Sequence, residues 1–409
     1  MVSLPFQDWP DSTVTLMLDP YRHISSRCRK LGTQGFRTRL LGHEAVCLTG
    51  SEAARLVYDQ EKFRREGAVP GVIRTVLFGK GGVQGLDNAA HHHRKSMLLR
   101  LMGPDSDLDQ VVALFDKEFR HATGEWQGEI DVFEVMKRIL TRVAYAWADL
   151  PLDPGSEKAT GDRLADLFLH AGPAPTEQVK ARNSRHHLER EITRIVDQLR
   201  KGEIEAEPDK ALSVVGFWRD QDGDLLSTDV AAVELLNVVR PTVAIAVYLV
   251  FVTHALAQHQ AAIAPLQDEE GWARAFVQEV RRTYPFFPAT AAIAREDIAW
   301  QGETIRAGCR VILDIYGTNR DARYWDDPDT FSPARFLGAE KDPYAFIPQG
   351  AGDHPVTHRC PGEWLTLRIM ECFTRILQEE LRWRLVDPEV DLNYSALPAL
   401  PKDALKISV

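Results

Sequence analysis

The sequence predicts a mainly α-helical protein with a smaller β region, an α+β architecture. Three observations carry that reading. Apolar residues recur at helical spacing through most of 51–284 and again through 361–381. Alternating apolar and polar segments, broken by short turns, fall in about 35–50, 298–315 and 385–409. The stretch from Val230 to about His259 is almost wholly apolar, and Ser227, Thr228 and Asp229 ahead of it offer N-caps for one long helix. A single domain spanning 1–409 is expected.

Residues 1–34 read as an arm followed by a helix from about Asp19 to Leu31. Phe36 to Leu48 alternates and turns at Leu41-Gly42-His43-Glu44, a hairpin. Ser51 is placed to cap a helix reaching about Tyr58. Arg65 to Ala90 is glycine-rich but also apolar, which predicts a packed, functional loop carrying Phe78 and Gln84. Asp87 leads into a helix ending near Met102. Its three histidines, His91, His92 and His93, point about 100° apart and cannot converge on one ion. His91 and Lys95, four apart, share a face. Helical patterns continue from Leu108 to Arg200, and Glu203 to Asp209 is a charged connector. Later come a helix from about Gly271 to Tyr284, a hairpin over Ile298–Leu313 about Gln301-Gly302-Glu303, and a helix from Glu363 to Leu381.

Composition excludes several classes of partner. Forty-nine basic against fifty-nine acidic side chains leave a net charge of −10, so nucleic acid and anionic membranes are poor partners. No basic region followed by an apolar run opens the chain, and no signal peptide is expected. Pro241 to Val252, the longest uncharged apolar run, is too short to span a bilayer. Cys28, Cys47, Cys309, Cys360 and Cys372 form no disulfide framework and suggest a reducing cytoplasm.

Two places stand out chemically. In Phe346-Ile347-Pro348-Gln349-Gly350-Ala351-Gly352 and on to Arg359-Cys360-Pro361-Gly362-Glu363, a glycine-containing loop delivers one cysteine to a helix N-terminus. Free N–H groups there favour thiolate. A lone cysteine does not fit a structural zinc site, whereas a single thiolate beneath haem iron fits well. The second place is Arg240-Pro241, in the middle of the long helix. A proline there costs roughly 3 kcal/mol and frees the carbonyl four residues earlier, that of Asn237. An arginine among apolar residues is costly unless it finds an anion.

The Cys360 loop resembles the cysteine-ligand loop of the cytochromes P450. Its extra segment, Asp353-His354-Pro355-Val356-Thr357, resembles the bacterial fatty-acid peroxygenase branch, as does Arg240-Pro241 where most members place an acid and a threonine. Glu279-Val280-Arg281-Arg282 and Pro333-Ala334-Arg335-Phe336 resemble the superfamily's E-x-x-R and P-x-R-F segments, and Asn319-Arg320-Asp321 another of its turns.

The resemblance implies a haem b cofactor with Cys360 as axial ligand. His91, Lys95 and His358, with Arg65, would hold the propionates; Lys95 stands where the family usually has arginine. Glu279, Arg282 and Arg335 would form a structural ion network. Phe78, Gln84, Phe286 and Phe287 would line the substrate, with the alternative that the phenylalanine pair is simply core. Leu397-Pro398-Ala399-Leu400-Pro401 would close the pocket.

The implied reaction is hydroxylation of a long-chain fatty acid at the α (or β) carbon by hydrogen peroxide, without redox partners. The substrate carboxylate, clamped by Arg240 beside Pro241, would act as general acid–base. Gln84, a neutral amide, favours hydroxylation over decarboxylation to a terminal alkene. Beside decarboxylation, two other readings remain: a monooxygenase fed by redox proteins, and a haem-thiolate sensor without turnover. A bacterial cytoplasmic location is expected.

Overall fold

The structure, a computed structural model, describes residues 11–170, 175–338 and 340–409, with the side chains of Val72 and Pro175 excepted. The first ten residues of the expected arm lie outside the described residues. The apolar stretch is a helix of 31 residues, Thr228–Gln258, and Ser227 caps it by accepting a hydrogen bond from the Val230 N–H at 3.3 Å. Being apolar all round, it can only be stable if surrounded. Helices Val132–Ala148, Pro175–Arg200 and Glu363–Glu379 pack against it. Length and composition would let this helix cross a membrane, but 94% of its most apolar window is buried inside the protein, which makes it a core helix.

The strands, in chain order, are β1 Gly35–Leu40, β2 His43–Thr49, β3 Phe63–Arg64 and β4 Glu129–Asp131. They continue as β5 Ala289–Ala294, β6 Ile298–Trp300, β7 Glu303–Ile305, β8 Arg310–Asp314, β9 Arg384–Leu385 and β10 Lys406–Ser408. A five-stranded sheet has the order β1-β2-β8-β5-β3, with β2 and β8 parallel and the other neighbours antiparallel. Leu41 and Gly42 both have positive φ, 53° and 77°, the two-residue turn whose twist suits a hairpin. β4, β10 and β9 form a second sheet, and β6 and β7 a third.

Several boundaries differ from the sequence reading. The helix expected from Asp19 to Leu31 starts only at His23, and a separate short helix, Thr13–Leu18, lies in the stretch read as an arm; Asp19 leaves helical angles ahead of Pro20. Gly50, at φ 101°, is the N-cap of Ser51–Val57, and the Ser51 side chain caps nothing. The Ile298–Leu313 hairpin is really β6–β7 alone. A turn at Gly308, φ 79°, redirects β8 into the five-stranded sheet. The glycine-rich stretch holds a helix, Gly71–Leu77, and a 3-10 turn, Val83–Gly85. β3 and β4 lie within the stretch read as helical, the first paired with β5 and the second with the C-terminal β10.

Candidate active site

The loop before helix Glu363–Glu379 is tightly folded. Gly350 and Gly352 adopt φ 103° and 80°, and a Cβ on Gly350 would lie 2.9 Å from the Arg359 Cα. The inserted segment folds back beneath the cysteine. Thr357 Oγ1 donates to the Ala351 and Asp353 carbonyls, and His354 Nε2 donates to the Cys360 carbonyl at 2.8 Å. The Cys360 N–H donates to the Gln349 carbonyl at 2.9 Å. Burial pushes the Cys360 thiol up, and Glu363 adds to this. The Gly362 N–H, the Lys95 charge and the Gln349 amide oppose it. The helix N-terminus alone therefore does not produce thiolate here; a bound cation would.

The helix carrying the three histidines runs from Asn88 to Met102 and packs on this loop. His91 stacks on His358 with ring centroids 3.8 Å apart. Burial, then the neighbouring ring, holds His91 down to about 2, and burial holds His358 down to about 4. Asp87 accepts the N–H groups of Arg65 and Glu66 at 2.8 and 3.0 Å, tying Arg65 into the same cluster. Lys95 is also tied to the cysteine loop. Its buried ammonium donates to the carbonyls of Thr357 and Arg359, the latter at 2.8 Å, because a buried cation takes the nearest acceptors. It pins the cysteine loop to its own helix and keeps one N–H and its charge. His92 and His93 turn away, to Gln60 and the Arg219 carbonyl.

These residues fit haem b. His91 Nδ1, His358 Nε2 and Arg65 Nη2 are buried without hydrogen-bond partners, a feature buried polar atoms rarely show. Anionic propionates would satisfy such atoms. Among the described residues no three His, Cys, Asp or Glu side chains gather as a metal-ligating group, so an iron here needs a macrocycle beside Cys360.

On the central helix, Arg240 is only 6% exposed, its Nε is unpartnered, and it makes no ion pair among the described residues. Burial, then the neighbouring Arg185 charge, pulls its guanidinium down to about 9; Cys360 opposes this. Pro241 lies inside the helix, one residue on. The Thr242 hydroxyl is occupied by the Val238 carbonyl at 2.9 Å. Gln84, half-buried, accepts from Asn237 Nδ2 at 3.3 Å, which brings the glycine-rich loop to the helix one turn before Arg240. Phe78 is half-buried against the main core.

Phe286 and Phe287 part company. Phe286 stacks on Tyr248 at 4.3 Å, as a core aromatic would, whereas Phe287 is 42% exposed. Ala399 donates to the Pro285 carbonyl, so the 397–401 segment lies beside this stretch. Behind the cysteine loop, Arg282 grips Glu279 with two bonds, 2.7 and 2.8 Å, and Arg335 reaches the same carboxylate at 3.3 Å.

Sequence reasoning missed a second network. Glu363 accepts from Arg281 at 2.5 Å and from Arg359 at 2.6 Å, all three directly around the cysteine loop. The signal was present as the adjacent Arg281-Arg282 pair, of which only one arginine can face Glu279. Glu234, Arg94 and Arg185 were missed too, since one charge on an apolar helix shows no partner in sequence.

A cytochrome P450 family model matches residues 268–403. Among solved structures, cytochrome P450SP alpha (CYP152B1) in complex with (R)-ibuprophen is 42% identical, covers 98% of each chain and has a TM-score of 0.94. Cytochrome P450EX alpha (CYP152N1) with myristic acid is 34% identical, covering 99% of this chain and 98% of that one, TM-score 0.95. A cytochrome P450 OleT variant in complex with arachidonic acid is 30% identical over the same shares, TM-score 0.95. With a lone cysteine on its loop, a set of buried polar atoms without partners and likeness over 98% of its length, the chain belongs to the cytochrome P450 superfamily, within its CYP152 group.

Proposed function

We propose that the protein uses hydrogen peroxide to hydroxylate a long-chain fatty acid at a carbon beside its carboxylate, the α carbon before the β. One observation carries this reading: Arg240, a buried guanidinium with no anion of its own. A carboxylate would supply two parallel charge-assisted hydrogen bonds and relieve that charge. The fatty acids bound by CYP152N1 and OleT in their structures have the matching head group.

Haem b, when bound, supplies transfer of a peroxide oxygen to carbon. Cys360 would ligate its iron, and His91, His358 and Arg65 would hold its propionates. Lys95 would act one step back, fixing the loop that presents Cys360. Arg240 sets the head of the chain, so only the nearest carbons reach the oxidant. The clamped carboxylate accepts a proton from one peroxide oxygen and returns it to the other, a task for which no acid side chain among the described residues pairs with Arg240. Pro241 removes an N–H at this turn and leaves the Asn237 carbonyl without its helical partner, which keeps the turn open beside Arg240. Phe78 and Phe287 are the apolar side chains we assign to the alkyl chain. Phe286 supports Phe287 from the core. Five free cysteines fit a reducing bacterial cytoplasm.

The test is an incubation with myristic acid and peroxide alone, products read by mass spectrometry. Wild-type protein should give the 2-hydroxy acid, and Arg240→Ala should lose at least about a hundredfold in kcat/KM, the equivalent of a lost buried ion pair. Full turnover by Arg240→Ala would refute the reading. A shortened alkene as the main product would replace hydroxylation with decarboxylation.

A further inference from the structure

Glu234 is wholly buried in the central helix, and every group that reaches it is a donor. Oε1 accepts from the Val83 N–H and from Arg94 Nη1, both at 2.9 Å; Oε2 accepts from Asn237 Nδ2 at 3.0 Å. Arg94 is fixed in turn by Asp220 through two bonds, 2.7 and 2.9 Å. Burial pushes the Glu234 carboxyl up, while Asn237, Arg94 and the Val83 N–H oppose this. Among the described residues only donors reach it, so a proton on either oxygen would find no acceptor, and the geometry is that of a carboxylate. A carboxylate can only accept, so Asn237 must turn its NH2 toward it. The same Nδ2 meets Gln84 Oε1 at 3.3 Å, so Gln84 turns its carbonyl toward Asn237 and its own NH2 away.

Gly82 makes the approach possible. A Cβ there would stand 2.9 Å from Asn237 Nδ2 and 3.1 Å from Val233 Cγ1. One carboxylate thus holds both the loop backbone beside Gln84 and the amide that orients Gln84.

We infer that Glu234, held by Arg94, is a positioning residue: through Asn237 it fixes the polarity of an amide relay and makes Gln84 a hydrogen-bond donor at the carboxylate end of the substrate. This rests on the proposed pairing of that carboxylate with Arg240. A donor amide adds a further hydrogen bond to the anionic head group, beyond those of Arg240, whereas a flipped amide would set its oxygen against it. Neither a neutral relay nor an apolar one can fix the direction, because an amide presents both faces.

The experiment is a double-mutant cycle on the haem-loaded enzyme with myristic acid and peroxide. It compares wild type, E234Q, Q84L and the double variant, with haem content and thermal unfolding measured alongside. Q84L should raise KM about tenfold or more, the usual loss for a hydrogen bond to a charged group. E234Q should raise KM in the same direction with kcat less affected, and the double variant should be no worse than Q84L alone. Losses that multiply in the double variant would overturn the inference and leave Glu234 a structural residue. An inert Q84L would overturn it too, while leaving the Arg240 pairing standing; an inert Arg240→Ala would instead bring down the pairing itself. Should E234Q lose haem, N237L cuts the relay with the Arg94–Glu234 pair intact. Its effect should vanish in the Q84L background, and persistence there would refute the relay.

Discussion

At Glu363 a single carboxylate holds two guanidinium groups beside Cys360. Burial pushes it up, but Arg281 and Arg359 outweigh that and hold it down to about 2. Because the folded value lies below the unfolded one, its stabilisation is present above the ordinary carboxylate range and is lost as pH falls toward 2. Glu363→Gln would leave Arg281 buried with its charge uncompensated, and should cost about 3–5 kcal/mol in thermal or denaturant unfolding. Asp314 shows the opposite sign. It is wholly buried at the end of β8, accepts from the Gly317 N–H at 2.7 Å, and has its other oxygen unpartnered. Burial pushes it up to about 7. A raised carboxyl favours the fold when protonated, so stability falls as pH rises from about 4 to about 7. Asp314→Asn keeps the accepting oxygen without the charge. It should therefore raise the melting temperature at pH 8 clearly more than at pH 4, and an equal shift at both would contradict this origin.

The central helix shows what an element can reveal before its structure is seen. Its caps, length and the proline within it were all legible, because capping and helical spacing are local properties. Arg240 was legible as an anomaly, an arginine on an apolar helix. What surrounds it was not, since Arg185, whose charge it feels, and Gln84, which meets Asn237 one turn earlier, come from distant segments. The glycine-rich stretch was legible as packed, but its helix Gly71–Leu77 was hidden by the glycines on either side. If Pro241 exists to hold the turn open, Pro241→Ala should restore the bond to the Asn237 carbonyl, raise the melting temperature and lower turnover together. A variant that gains stability with no loss of turnover would remove Pro241 from the account.

For the whole molecule, the helical and sheet parts meet through pairings that no local pattern contains. β2 pairs in parallel with β8, and β4 with β10, across separations of more than two hundred residues. The order of motifs along the chain still gave the architecture, because each ties a fixed place: the cysteine loop, the Glu279–Arg282–Arg335 network and the central helix. The same logic did not show that Lys95 also donates to carbonyls of a loop far away in sequence. All these parts converge on one claim, that the substrate's carboxylate both anchors the chain at Arg240 and moves the proton peroxide needs. Turnover of myristic acid against its methyl ester, with peroxide as the only oxidant, tests it most directly. The acid should be hydroxylated beside its carboxylate and the ester at least about a thousandfold less efficiently, as loss of a buried charge pair and a general acid–base together requires. Comparable turnover of the ester would contradict it.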